Sequence, residues 1–216
     1  MHFHHPTPSS RTSLRRRSTG LVACALLVLL SACDRKGTGA GNAGIAFPDD
    51  AAITQALKTD FDGNPDNAAA RELIATLGGA QGRLDYRIQR VVVRQGAFEA
   101  QYDVSLHLSR AGAESLQQLY GTMIPKDVRE KLPEQTLAAY ETWLAGQAAS
   151  GEKADAAQAA ALRRSLATLD ECYQNAKAGD DVTLMQGLAA LVSPARDGWY
   201  AEKLESPRLR LRCLPL

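Results

Sequence analysis

The side chains with the most potential for chemistry are four cysteines and four histidines. His2, His4 and His5 form a tract that could bind a metal ion, whereas His107 stands alone. The sequence contains no Gly-x-Ser-x-Gly nucleophile motif and no P-loop for phosphate binding. The cysteines therefore carry the strongest chemical signal, and their meaning depends on the segments around them.

The first 32 residues have the form of an export signal. A basic stretch over 11–17 is followed by ten apolar residues at 21–30 and by two small residues before Cys33. A membrane-spanning helix needs roughly 20 apolar residues, so this run is too short to be one. Cleavage would leave His107 as the only histidine, so we expect no metal ion and no other cofactor.

The sequence Leu30-Ser31-Ala32-Cys33 resembles the lipobox of bacterial lipoproteins, in which Leu and two small residues precede an invariant Cys. The resemblance implies cleavage before Cys33, diacylation of its thiol and acylation of its new amine. Two or three acyl chains anchor a protein stably, so the bilayer is the first expected partner. Asp34 resembles the inner-membrane retention signal of enteric bacteria, which favours the periplasmic face of that membrane and leaves the outer membrane open.

The mature chain, residues 33–216, is long enough for one domain with a hydrophobic core. The whole chain has 25 basic and 24 acidic residues, and the signal removes four arginines and no acid, which leaves 21 against 24. This slightly negative balance gives no general attraction to nucleic acid, so no nucleic-acid partner is expected.

Cys172 and Cys213 are the two cysteines left once Cys24 is removed and Cys33 is acylated. An isolated pair in the oxidising periplasm usually joins, so we predict a disulfide between them. Two buried thiols or a catalytic pair are the alternatives. Redox enzymes usually hold their cysteines close together, as in Cys-x-x-Cys, and this spacing is absent.

The N-terminal half of the mature chain predicts a tether, two helices and a strand. Residues 33–47 are rich in Gly and small residues, as in a flexible tether, and a single α+β domain is expected over 48–216. One helix begins near Pro48, and Asp66 is expected to cap a second. Strict alternation of apolar and polar residues over 98–108 predicts a strand with one wet face.

The C-terminal half predicts helices and then a closing hairpin. The stretch 110–178 is Ala-rich and helical in its spacing. Residues 182–192 fit a strand with a bulge at Gly187 better than a helix, because Asp197-Gly198 would then form a turn. A last strand over 207–213 would direct Leu209, Leu211 and Cys213 inward.

Two registers are possible for the hairpin before residue 108. A two-residue turn at Gln95-Gly96 would place Ile88 opposite Asp103. A three-residue turn that adds Ala97 would place Ile88 opposite Val104, which matches apolar with apolar. We therefore expect the three-residue turn.

The order helix, helix, hairpin, followed by Gly179-Asp180-x-Val182-x-Leu184 and then Asp197-Gly198-Trp199, resembles the NTF2-like, cystatin-like group. The resemblance implies a curved antiparallel sheet packed against helices. The helical stretch 110–178 departs from that group as a long insertion. Such folds serve enzymes, transport factors and binding modules alike, so the resemblance does not select a function.

Arginines recur in two predicted strands and could bind an acidic partner through bidentate contacts. The alternative is a solvated strand face that protects a sheet edge from self-association. The possible partner-binding side chains are Arg87, Arg90, Arg94, Arg208, Arg210, Arg212 and Trp199. Trp143, Tyr140 and Tyr200 could also be interface anchors, although such residues are more often core. Asp85 is expected across from His107, without a catalytic role.

These features favour a non-enzymatic, membrane-anchored module that binds a periplasmic protein. One form is an inhibitor or immunity protein against a cell-wall-degrading enzyme, and another is an accessory subunit of an envelope complex. A carrier of small molecules is the alternative, with a pocket lined by Tyr86, Phe98, Tyr102 and Trp199. An enzyme with an unrecognised site is the third hypothesis.

Mass spectrometry of the protein from its native membrane tests the lipid anchor. We expect a chain that begins at Cys33 and carries acyl chains on that residue. An unmodified residue 33, or a cytoplasmic product that keeps its first 32 residues, would contradict this expectation.

Overall fold

The computed structural model describes residues 46–151 and 155–215, which belong to a single compact unit. The export signal, Cys33 and the tether up to residue 45 lie outside the described residues. Within the described ranges, no helix has the length and apolar character needed to cross a membrane.

The described residues form an α+β fold, as the sequence predicts. The helices are α1 (Asp50–Gly63), α2 (Ala68–Gly78), α3 (Gly112–Met123), α4 (Lys126–Arg129), α5 (Leu137–Gly151) and α6 (Ala156–Tyr173), with a 3-10 turn at Pro65–Asn67. The strands are β1 (Arg83–Arg94), β2 (Ala97–His107), β3 (Asp181–Ala195), β4 (Gly198–Leu204) and β5 (Arg210–Leu211). They form one open antiparallel sheet in the order β1-β2-β3-β4, and β5 pairs with β3.

The core is built on one face of β2. Its residues from Phe98 to Leu106 that share this face are all buried, whereas the residues between them are partly exposed. One part of the core joins the Phe98 end of this face to α1, and the other joins the Leu106 end to α2, α3, α5 and α6. The predicted alternation therefore determines which sheet face the helices cover.

The predicted three-residue turn in the first hairpin is wrong. Arg94 pairs with Ala97, so the turn has two residues, Gln95 and Gly96. A bulge at Gln89 then shifts the register by one residue, so Ile88 pairs with Tyr102. A two-residue turn is therefore compatible with the pairing of apolar residues across the two strands, because the bulge accommodates the extra residue within β1.

The same bulge changes which side chains of β1 face the helices. Leu84, Tyr86 and Ile88 pack against the core before the bulge, and Val91 does so after it. A simple alternation would have placed Val92 on this face together with Arg90. Arg90 instead lies opposite Gln101 on the open face.

Residues 181–195 form a strand, as expected, with its irregularity at Gly187. Gly187 has a φ of +72°, and a Cβ there would lie 2.5 Å from the carbonyl oxygen of Arg208. Its N–H donates to Oδ1 of Asp103 at 2.8 Å, and its carbonyl accepts from the Ser206 hydroxyl at 2.6 Å. The bulge therefore fixes the loop between β4 and β5 against the sheet.

The junction between α1 and α2 differs from its prediction in one detail. Asp49 caps α1 by accepting a hydrogen bond from the N–H of Ala52. Asp66 does not cap α2; its own N–H donates to the side chain of Asn64, and a 3-10 turn leads into the helix. Arg71 then donates to the carbonyls of Phe61 and Asn64, which ties the two helices together.

The predicted helical stretch consists of α3 to α6, all between β2 and β3. The start of α3 lies against the end of α6, where a Cβ on Gly112 would come within 2.0 Å of the Tyr173 carbonyl oxygen. The N–H of Gly112 donates to the carbonyl of Ala176. Only glycine permits so close a contact between two backbones.

The predicted disulfide is present, with the Cα atoms of Cys172 and Cys213 separated by 5.7 Å. It joins the end of α6 to the segment that follows β5. The predicted last strand is shorter than expected, since only Arg210 and Leu211 pair with β3. Leu209 and Leu211 are exposed rather than directed inward, whereas Cys213 is half-buried and packs against the core.

Removing the disulfide should lower the free energy of unfolding. The bond closes a loop between residues 41 apart, for which the chain-entropy model gives about 4 kcal/mol. We expect the double variant Cys172→Ala/Cys213→Ala to unfold at a lower urea concentration than the wild type. Reductant should lower the wild-type midpoint and leave that of the variant unchanged; equal midpoints without reductant would contradict the expectation.

Candidate functional site

A cavity of about 310 Å³ lies between the sheet, the first two helices and the segment after Cys213. Most of its lining is apolar. The lining side chains are Leu57, Asp60, Phe61, Asn67, Ala70, Leu73, Ile74, Leu84, Tyr86, Tyr102, Val104, Leu184, Met185, Leu188, Lys203, Leu214 and Pro215. Its volume is at the lower end of the range typical of small-molecule sites.

Helical spacing explains how α1 and α2 form one wall. Leu57, Asp60 and Phe61 stand at i, i+3 and i+4 on α1, so they share one face of the helix. Ala70, Leu73 and Ile74 repeat this spacing on α2. The two faces meet over the sheet because the connection between the helices is short and tied by Arg71.

Tyr86 and Tyr102 form the aromatic part of the opposite wall. They lie on neighbouring strands with ring centroids 6.1 Å apart and planes at 47°. Burial raises the pKa of both phenols, that of Tyr102 to about 12, and the negative charge of Asp60 raises both further. Both hydroxyls therefore stay protonated at neutral pH and can donate hydrogen bonds.

The polar groups at the cavity include one carboxylate and one ammonium. Asp60 is half-buried on α1, and Lys203 is exposed on β4. Their charged atoms do not form an ion pair within 4.0 Å among the described residues. The side-chain N–H of Asn67 donates to the carbonyl of Phe61 at 3.2 Å. Asp60 is thus the charged group positioned within the half-buried wall.

Two of the four aromatic residues predicted for a pocket line this cavity. They are Tyr86 and Tyr102. Phe98 and Trp199 do not line it, because they pack edge to face at 5.6 Å near the turn end of the sheet. Phe47 covers the other side of Phe98 at 5.1 Å.

The arginines predicted to bind a partner lie at two places on the sheet. Arg87, Arg90 and Arg94 are exposed on β1, an edge strand, where Arg94 forms an ion pair with Glu99. Arg208, Arg210 and Arg212 are exposed at the other edge of the sheet. There the side chain of Arg212 donates a hydrogen bond to the side-chain oxygen of Gln186. The sheet order places β2 and β3 between these two sets, so the structure does not join them in one surface.

The other aromatic candidates also have defined places. Trp199 is half-buried and packs against the core with Phe98, on the covered side of the sheet rather than with the arginines. Tyr140 is buried in the core, and Trp143 packs beside it. Tyr200 is exposed.

The structure places His107 beside two carboxylates. Nδ1 of His107 lies 2.7 Å from Oδ1 of Asp181, and the ligand atoms of Asp85, His107 and Asp181 all lie within 4.8 Å of one another. The residue directly across from His107 on β1 is Arg83 rather than the expected Asp85. Such a group could offer three atoms to a metal ion, but ordinary ion pairing already accounts for it. His107 lies opposite Asp181 on the neighbouring strand, and Arg83 lies 3.4 Å from Asp85 on the same strand.

No family model, no curated protein and no solved structure matches this chain. The resemblance to the NTF2-like group therefore stays a prediction.

Sequence reasoning missed most of the cavity lining, including Asp60, Leu214 and Pro215. Leu214 and Pro215 lie in its wall because the disulfide holds the preceding residue, and nothing in their sequence indicates this. Asp60 could have been found, since it interrupts the apolar spacing between Leu57 and Phe61. A carboxylate on the apolar face of a helix is unexpected, because burial of an unpaired charge costs free energy.

A second group of acids lies between α5 and α6. The hydroxyl of Tyr120 donates to Oδ1 of Asp170 at 2.6 Å, and Oε1 of Glu141 is buried without a hydrogen-bond partner among the described residues. Burial and the nearby charge of Asp170 raise the pKa of Glu141. Arg163 lines the same shallow groove, so the site holds charges of both signs.

The raised pKa of Glu141 predicts a pH-dependent stability. Folding favours the protonated carboxyl of Glu141. The contribution of this group to the free energy of unfolding is therefore fully present at low pH, and it is lost as the pH rises through the pKa of the folded state. We expect Glu141→Gln to raise the free energy of unfolding at pH 7 relative to the wild type, by less than about 1 kcal/mol. Urea unfolding at pH 4 should show a smaller difference in the free energy of unfolding between the variant and the wild type. The same substitution at the exposed Glu134 serves as the control; an equal effect there would contradict the assignment.

Proposed function

We propose that this chain is a membrane-anchored periplasmic lipoprotein whose domain binds a small, mainly apolar molecule in the cavity of about 310 Å³. The lipobox resemblance at Cys33 supports the anchor, and the cavity supports the binding. The cavity carries the proposal, because it is a preformed space between the helices and the sheet.

The size and lining of the cavity limit the ligand. At the roughly 30 Å³ that a water-sized group takes in a liquid, the space holds about ten heavy atoms. Three larger depressions, of about 530, 570 and 440 Å³, are more open to solvent than this cavity. The first two are lined mainly by polar side chains, and the third is a shallow surface beside Trp143. Transfer of an apolar molecule from water stabilises the complex only where the walls are apolar, which favours the smaller cavity.

The lining also supports binding rather than catalysis. Among its described side chains there is no histidine, cysteine or serine, so a nucleophile paired with an imidazole base is not part of this site. Its polar groups are phenols, one amide, one carboxylate and one ammonium. These suit the orientation of a ligand by hydrogen bonds and charge.

Binding of a periplasmic protein is the second proposal, as an inhibitor of a cell-wall-degrading enzyme or as an accessory to an envelope complex. The row of exposed arginines on β1 supports it, since an edge strand is open to a partner. Glu99 and Asp103 lie beside this row on β2, so the surface is of mixed charge. The geometry therefore supports this proposal less than it supports the cavity.

Titration calorimetry with 1-octanol tests the ligand site, because this molecule has nine heavy atoms and no charge. We expect the wild type to bind it and to melt at a higher temperature in its presence. Ala70→Phe places a ring at the cavity wall and should weaken binding at least tenfold. Ala69→Phe, on the same helix and outside the lining, should bind as the wild type does.

Two results would contradict the cavity site. One is a wild type that binds no octanol, and the other is an Ala70→Phe variant with wild-type affinity. Melting curves of both variants without ligand show whether either substitution unfolds the domain, in which case Leu73→Phe replaces Ala70→Phe.

A further inference from the structure

Asp60 stands among apolar neighbours in the wall of the cavity. It lies between Leu57 and Phe61 on the face that α1 turns to the core. Its side chain has no hydrogen bond or ion pair with the described residues. A ligand that supplies a positive charge would give this carboxylate a partner for charge-assisted hydrogen bonds.

The surroundings of Asp60 also suit a cation. Asp60, Tyr86 and Tyr102 line the same cavity, so the carboxylate and the two rings face one space. Aromatic faces attract ammonium groups, and more strongly where water is excluded. A carboxylate beside two tyrosine rings therefore offers a charge partner and aromatic faces to one ammonium group.

Lys203 is the cation that could favour an anionic ligand instead. It is exposed on β4, where water screens its charge. Asp60 is half-buried, so water screens its charge less than it screens that of Lys203. A ligand carboxylate next to Asp60 would be repelled by its charge, whereas an ammonium group would be attracted.

We propose that the cavity binds a protonated primary amine on an apolar body of about ten heavy atoms, with the ammonium group on Asp60 and against Tyr86 and Tyr102. This inference rests on the proposed function, because it assigns a head group to the same site. The apolar body lies among the leucine and isoleucine side chains of the two helices and the sheet.

The test compares three probes with the same eight-carbon chain: octylamine, 1-octanol and octanoate. Calorimetry at pH 7 and low salt should give octylamine a Kd at least tenfold below that of octanoate, with octanol between them. Asp60→Asn should remove most of this preference, because it keeps the shape and removes the charge. Glu72→Gln, an exposed acid on α2 outside the lining, should keep it.

The outcomes separate the two proposals. If octanol binds and octanoate binds as tightly as octylamine, the cavity holds a ligand but the amine assignment is wrong. A preference that survives in Asp60→Asn also overturns the assignment. If none of the three probes binds the wild type, both the cavity site and its head group are wrong.

Discussion

The burial of one face of β2 is the constraint on which the rest of the structure depends. Every second side chain of this strand from Phe98 to Leu106 is buried under helices. Each large apolar side chain contributes about 1.5–3 kcal/mol when buried, against about 1 kcal/mol for a helix cap. A shift of register by one residue would lose all of these contributions together. The bulge at Gln89 and the irregularity at Gly187 adapt β1 and β3 to this strand.

The cavity follows from the way in which two short helices cover a twisted surface. The end of α1 and the start of α2 are held by polar bonds to Asn64 and from Arg71. These bonds keep the corner in place without side chains that fill the space beneath it. Below the corner, Leu84 and Tyr86 on β1 are only half-buried. The domain therefore keeps an apolar space that does not collapse, because its walls belong to elements fixed elsewhere.

Local patterns in the sequence predict the elements well, and the interactions between them less well. The alternation in β2 and the strand at 181–195 follow from residue spacing, and the disulfide follows from the expectation of an oxidising compartment. The first turn is misjudged because the sequence near Gln89 gives no sign of a bulge. The exposure of Leu209 and Leu211 depends on what covers the sheet edge, which alternation does not show. The cavity depends on residues far apart in the chain, such as Asp60 and Leu214, whose proximity only the fold creates.

Part of the cavity wall depends on the disulfide. Leu214 and Pro215 come directly after Cys213, so their position depends on the anchor at α6. With free thiols, two hydrogen bonds would still hold this segment. The hydroxyl of Tyr173 donates to the Cys213 carbonyl, and the N–H of Arg212 donates to the Leu184 carbonyl. Such bonds contribute about 1 kcal/mol each and open readily beside solvent. A chain in a reducing compartment would thus have an incomplete cavity wall, and oxidation of the two thiols would complete it.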